Sequence, residues 1–263
     1  MTITPDDMSV HQERAYVMAH VMALIGLGLC SYWIHLMGGL ASFSAVDESS
    51  YVFNWHPLFM MIAFFFITVA VLSWRQPSHT RYSRKVSHGI NFSVAVIAML
   101  VALIAVWKSH LDEDSGYVAN LYSFHSWVGI WVFIFFTFQW MTALFAYGFG
   151  SPEWKVSFMP YHKLFGLWLY QGVALAIMLG IQEKEGFIGC SYTVTEPDLW
   201  PTINLFEIPL KCWISHLMGI FVIATVLLVS FALHGVEGRG ARPPMPTGEE
   251  GDPQPLVPET SLT

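Results

Sequence analysis

The chain has 263 residues, a formal net charge of −7 at pH 7, 54% hydrophobic residues and 12% charged ones. Soluble domains carry about 25% charged residues, so this composition argues against a water-soluble core. The acidic balance, without any basic stripe interleaved with aromatics, excludes a nucleic-acid partner. Few charges suit hydrocarbon, where each is costly.

Along the chain, residues 1–15 form a polar, acidic N-terminal segment. It has neither the basic start nor the cleavage site of a signal peptide. Crossing a bilayer takes about 20 apolar residues, and six stretches qualify: 16–38, 53–74, 87–107, 121–147, 160–181 and 213–234. Residues 16–235 therefore read as one six-helix transmembrane domain in contact with membrane lipid. The Pro-, Gly- and Glu-rich segment 236–263 reads as a disordered tail. The predicted fold class is an all-α membrane protein.

Loop cations set the orientation. Arg14, Arg75, Arg81, Arg84, Lys85, Lys155, Lys163, Arg239 and Arg242 fall on the side of both termini. Lys108, Lys184 and Lys211 fall on the other, beside Asp112, Glu113 and Asp114. Both termini are expected in the cytosol, and the loops 39–52, 108–120 and 182–212 outside it. Cys190 and Cys212 then share the side where disulfides persist. A bridge and two free thiols are both open readings. Cys30, within the first span, reads as packing.

Of eleven histidines, four form a pattern. His56 and His125 stand at the outer ends of spans two and four, and His88 and His162 at the inner ends of spans three and five. Because successive helices alternate in direction, these make two pairs at two depths. His56 and His88 are 32 residues apart, and His125 and His162 are 37 apart, an echo that suggests a duplicated helix hairpin. Zinc would need three or four protein ligands, and a di-iron site would need a motif such as Glu-x-x-His. Neither is found. Two imidazoles on opposite sides of a porphyrin iron leave no open position, which favours electron transfer over oxygen binding. His11 and His79 are expected in water, and His20, His35, His216 and His234 as packing or interfacial residues near helix ends.

Several segments resemble the cytochrome b561 family of ascorbate-dependent transmembrane electron carriers, with the animal ferric-reductase and vesicle branches as the nearest look. The segments are Gly38-Gly39, Phe53-Asn54-Trp55-His56-Pro57, the run Ala119 to Trp127, Met159-Pro160-Tyr161-His162 and Glu183-Lys184. The resemblance implies that spans two to five form a four-helix bundle around two non-covalent haem b groups. His88 and His162 would ligate the inner haem iron, and His56 and His125 the outer. It further implies that cytosolic ascorbate is the donor and that monodehydroascorbate or a ferric chelate is the acceptor. Arg75, Arg81, Lys85 and Lys155 would face anionic ascorbate and the inner haem. Asn120, Leu121, Tyr122, Ser123 and Glu183 would contact the outer haem. His110, 22 residues after His88, matches an outer substrate-site histidine of some members. Acidic Asp112, Glu113 and Asp114 beside it would tolerate iron better than an anion, which implies ferric-reductase capacity. A homodimer is also implied, in the plasma membrane or an endomembrane (vesicle, vacuole or lysosome).

Three other readings are weaker. A ferric-reductase flavocytochrome would carry two histidines per ligand helix and a nucleotide-binding loop, and neither is present. A non-haem transporter or proton pathway would show broken helices with buried charges. A member that serves only as a structural subunit would have lost its ligands, and all four are here.

Overall fold

A computed structural model describes residues 8–43, 49–76, 79–111, 119–190 and 208–234. The expectations for the first residues, for Asp112, Glu113 and Asp114, and for the tail with Arg239 and Arg242 lie outside these. The described chain is helical: α1 (Val10–Leu36), α2 (Ser49–Phe53), α3 (Trp55–Leu72, continued by a 3-10 turn to Arg75), α4 (Arg81–Ser109), α5 (Phe124–Phe149), α6 (Pro152–Phe187) and α7 (Leu210–His234). Among the described residues, six helical spans are long and apolar enough to cross a bilayer.

Most helices overrun the apolar stretch that predicts them, because polar capping residues, not hydrophobicity, decide where they start. Ser9 and Gln12 form a reciprocal capping box on α1. Thr80, Ser123 and Ser151 accept from the amides of Ser83, Ser126 and Trp154 to start α4, α5 and α6. With Pro152 at its first position, α6 begins eight residues before the expected span and runs for 36 residues, about 54 Å at 1.5 Å per residue. That exceeds the roughly 30 Å of hydrocarbon, so both of its ends stand clear of the membrane interior.

The helices associate as three antiparallel pairs: α1 with α7, α3 with α4, and α5 with α6. Lipid is as apolar as a side chain, so close backbone approach drives such pairing. On α1 the buried stripe Ala15, Ala19, Ala23, Gly26 and Cys30 provides it. A Cβ on Gly26 would stand 3.4 Å from Met61 of α3 and 3.8 Å from Phe221 of α7. The buried Cys30 thiol donates to the Pro57 carbonyl at 3.6 Å. Hairpins α3–α4 and α5–α6 face each other across a sparse contact. At mid-depth, buried Tyr170 stacks on Phe64 and hydrogen-bonds Thr68 at 3.1 Å. Intramembrane hydrogen bonds average about 0.6 kcal/mol, so ring packing holds this contact more than the hydroxyl does.

The face at which α1 starts and α7 ends is called the terminal face below, and the other the opposite face. On the opposite face Gly38 and Gly39 both adopt positive φ, 99° and 85°, a conformation that suits glycine. A Cβ on Gly38 would collide with the Tyr51 ring at 2.2 Å. On the same face a disulfide joins Cys190 to Cys212 and ties α6 to α7, which decides between the two readings of those thiols.

Candidate functional site

The four singled-out histidines do come together in pairs across the gap between the two hairpins. His56 and His125 have ring centroids 6.0 Å apart near the opposite face, and His88 and His162 have theirs 6.1 Å apart near the terminal face. All four are half-buried. Among the described residues no three metal-ligating side chains converge, so each level offers two imidazoles.

Within each hairpin one helix holds the other's ring. His56 Nδ1 donates to the Ala102 carbonyl (3.1 Å), His88 Nδ1 to Ala70 (2.8 Å) and His125 Nδ1 to Ala176 (2.9 Å). A carbonyl can only accept, so in these three rings Nδ1 carries the proton and Nε2 keeps its lone pair. That is the usual second-shell arrangement of a metal-ligating histidine. His162 departs from it. Its neighbour is Gln139, whose Nε2 lies 3.5 Å from His162 Nδ1 and donates to the His162 carbonyl at 3.1 Å. Ala70, Ala102, Gln139 and Ala176 each lie fourteen residues after the paired histidine of their own helix. The duplicated-hairpin echo is thus a repeated contact geometry, with one side-chain substitution in four.

The spacing fits a metal held between the two rings: a metal–nitrogen bond of about 2 Å to each, plus the offset from nitrogen to ring centre, would put two imidazoles roughly 6 Å apart, centre to centre. A Cβ on Gly129, one turn after His125, would meet nothing within 4 Å. Gly180 is tight instead: its Cβ would stand 2.8 Å from Cε1 of His125.

Around the His56–His125 level, Ser123 donates to Glu183 at 2.9 Å and Tyr122 also hydrogen-bonds Glu183. Partial burial, with Glu183 beside it, pushes the Tyr122 phenol up to about 12, so it stays a neutral donor. Leu121 holds φ 57°, a left-handed conformation uncommon outside glycine. His110 Nδ1 donates to Asn120 Oδ1 at 2.9 Å. The structure thus joins Tyr122, Ser123 and Glu183 in one cluster and His110 and Asn120 in another.

Around the His88–His162 level, Lys85 donates to the Tyr147 carbonyl at 2.9 Å, and the Tyr147 ring lies edge-on to His162 at 5.6 Å. Arg81 opens α4 on the exposed terminal face, and Lys155 is half-buried in the first turn of α6. Arg75 instead donates to the Leu233 carbonyl at the end of α7, where a cation satisfies the last carbonyls of a helix. His20 and His234 bond carbonyls of their own helices, and His216 pairs with Glu185 at 3.3 Å, as expected of packing and interfacial residues.

The family model for eukaryotic cytochrome b561 matches residues 55–188, just over half of the chain and all four paired histidines. The chain belongs to the cytochrome b561 family. It is 30% identical over 187 residues to transmembrane ascorbate ferrireductase 2 of Arabidopsis thaliana, covering 68% of this chain and 78% of that one. It is 31% identical over 178 residues to ascorbate-specific transmembrane electron transporter 2 of Zea mays, covering 66% and 73%. It is 32% identical over 186 residues to the transmembrane ascorbate-dependent reductase of Bos taurus, covering 68% and 71%. Plant and animal relatives stand at the same distance, so identity does not single out a branch. A cytochrome b561 is an integral, multi-pass membrane oxidoreductase, and membership implies haem b. Sequence reasoning missed Gln139, Gly180 and the three alanine carbonyls. The fourteen-residue spacing was the signal that would have found Gln139 and the alanines; no such spacing marks Gly180.

Proposed function

We propose that this cytochrome b561 takes one electron at a time from cytosolic ascorbate and delivers it across the membrane, through two bis-histidine haem b groups, to monodehydroascorbate or a ferric chelate. The observation that carries the reading is the pair of imidazole pairs at two depths of one bundle, each with its rings about 6 Å apart and so able to hold one iron between them. His88 and His162 would hold the haem nearer the terminal face, and His56 and His125 the other. When bound, the two haems supply reversible one-electron carriers that span the hydrocarbon.

The chain's own residues support the direction. The terminal face carries Arg81, Arg84, Lys85 and Lys155, cations that attract an anionic donor; by the positive-inside rule this face is cytosolic. Lys85 reaches across to the Tyr147 carbonyl and so stands at the edge of the His162 ring's neighbourhood. Buried Phe64 and Tyr170 fill the interior beside the gap between the two levels, which keeps water out of the path. On the far face, Tyr122, Ser123, Asn120 and His110 offer hydroxyl, amide and imidazole groups to haem propionates and to an acceptor.

The deciding experiment is the reduced-minus-oxidised spectrum of the purified full-length protein, before and after ascorbate, with haem quantified per chain. Two haems per chain, b-type bands on ascorbate addition, and loss of one haem in each of His56→Ala and His88→Ala are expected. A colourless protein, or haem that survives both substitutions together, would restore the transporter reading.

A further inference from the structure

On the opposite face lies a cavity of about 310 Å³ that none of the groups above uses. It opens between the ends of four helices: Leu36 of α1, Asn54 at the start of α3, Lys184 and Phe187 of α6, and Lys211 of α7. Its volume is at the lower end of the roughly 300–1,000 Å³ range of small-molecule pockets. We propose that this cavity binds a small hydroxylated organic anion, an enediolate or a hydroxycarboxylate, at a site separate from His110 and Asn120.

Three observations specify that chemistry. Lys184 and Lys211 both line the cavity, beside Leu36, Phe187 and Ile188. The two carboxylates that flank Lys184 on α6 are already engaged, Glu183 by Ser123 at 2.9 Å and Glu185 by Ser215 at 2.5 Å and His216 at 3.3 Å. Cations in a partly water-excluded cavity favour an anion.

The second is Asn54, only 1% exposed. Its Nδ2 donates to the Gly39 carbonyl at 2.8 Å, and because a carbonyl can only accept, the amide orientation is fixed. Asn54 Oδ1 is then a buried acceptor with no partner among the described residues, and a buried acceptor without a donor is costly. A carboxylate alone has no proton to give it, whereas a hydroxyl does. The left-handed Gly38-Gly39 turn presents the carbonyl that sets this amide, which gives that motif a use at the cavity.

The third is placement. Lys184 Nζ lies 4.3 Å from the Phe53 ring centroid, and that ring lies 5.8 Å from the His56 ring. The cavity is one aromatic ring from a proposed haem ligand. The Cys190–Cys212 bridge, next to Lys211 in sequence, fastens the α6 wall to the α7 wall. The inference rests on the proposed function only for the ligand's part as an electron acceptor; binding itself stands apart from it.

The test is calorimetric titration of the oxidised full-length holoprotein in lipid nanodiscs with citrate and with tricarballylate, which has the same three carboxylates and no hydroxyl. Ascorbate is titrated into the dithionite-reduced protein. Citrate is expected to bind, at least tenfold more weakly in Lys211→Glu and Lys211→Ala, and near the original affinity in Lys211→Arg. Tricarballylate is expected to bind several-fold more weakly than citrate. Because ascorbate is also the proposed donor on the terminal face, only binding that Lys211→Glu weakens is assigned to the cavity, and the tighter of the two ligands by that measure tells which source supplies the anion. Absence of citrate binding in the unaltered protein, or undiminished affinity in Lys211→Glu, would overturn the site, and equal affinity for citrate and tricarballylate would overturn the hydroxyl. Haem reduction by ascorbate is recorded on the same samples. Its failure in the unaltered protein counts against the proposed function and leaves the binding result standing.

Discussion

Gly180 of α6 leaves room for the His125 ring of α5: a Cβ at position 180 would stand 2.8 Å from Cε1, 3.1 Å from Nδ1 and 3.3 Å from Nε2. The ring is also held by the Ala176 carbonyl, one turn earlier on the same helix, so it cannot move off without losing that bond. Alanine is intrinsically better than glycine in a helix by about 1 kcal/mol, but overpacking a fitted contact costs about 1–3 kcal/mol. Gly180→Ala is therefore expected to fold and to lose the haem proposed between His56 and His125, so that on the two-haem reading haem per chain falls from two toward one. Gly186→Ala, where a Cβ meets nothing within 4 Å, is the control and should keep both. Equal haem contents in the two variants would show that the contact relaxes.

Gln139 gives a prediction about the other pair. Three of the four paired histidines rest on alanine carbonyls, but His162 has the Gln139 amide at 3.5 Å, and Gly166 is tight enough that a Cβ there would come within 3.1 Å of that amide. The amide nitrogen is no acceptor, whereas a carboxylate at position 139 would give Nδ1–H one, which makes an imidazole a better donor to iron and stabilises the oxidised metal. Gln139→Glu should lower the midpoint potential of the haem held by His88 and His162 on the order of 60 mV, the one-electron equivalent of a tenfold change in affinity. The other haem should stay where it is. Optical redox titration reads both, and equal shifts of the two potentials would count against a local effect.

Much of this was legible because its signals are long or repeated. Six apolar runs give six spans, and helix direction alternates by necessity, so four histidines near helix ends sort into two depths without any knowledge of packing. What was not legible depends on which atoms meet across helices. Arg75 belongs to the cationic face by charge alone, yet it caps the end of α7 at Leu233, a contact between residues 158 apart in sequence. Asn54 sits inside the recognisable Phe53-to-Pro57 run, but nothing in the run says that its amide is set by Gly39. Helix lengths were underestimated because hydrophobicity marks the hydrocarbon, whereas Ser9, Thr80 and Ser151 mark the ends. The alanines at positions 70, 102 and 176 look like filler in a sequence, and only their shared spacing from the histidines gives them away.

Lys85 is exposed on the terminal face and bonds the Tyr147 carbonyl, so its loss should weaken capture of the anionic donor without removing a haem ligand. Lys85→Ala is expected to raise KM for ascorbate by about tenfold, equivalent to 1.4 kcal/mol, with both haems retained. Exposed charges are screened within about 8–10 Å at 0.1–0.15 M ionic strength. The KM of the unaltered protein should therefore rise with salt, and that of Lys85→Ala should rise less. A salt dependence identical in the two proteins would mean that Lys85 is not part of the capture field.

The disulfide offers a test of both stability and orientation. Cys190 and Cys212 are separated by 22 residues, and closing a loop of that length stabilises a fold by about 3 kcal/mol in the chain-entropy account. Reduction should lower the thermal inactivation temperature while leaving both haems in place, since neither cysteine lies in a histidine pair. The bridge stands on the opposite face, which the proposed orientation puts outside the cytosol. In cells that display the protein at the plasma membrane, a membrane-impermeant phosphine, followed by an impermeant maleimide, should label two thiols per chain. Buried Cys30 should stay unlabelled until the protein is denatured. Labelling only after permeabilisation would reverse the orientation. It would put the Lys85 face outside and the lysine-lined cavity in the cytosol, so donor and acceptor sides would have to be exchanged.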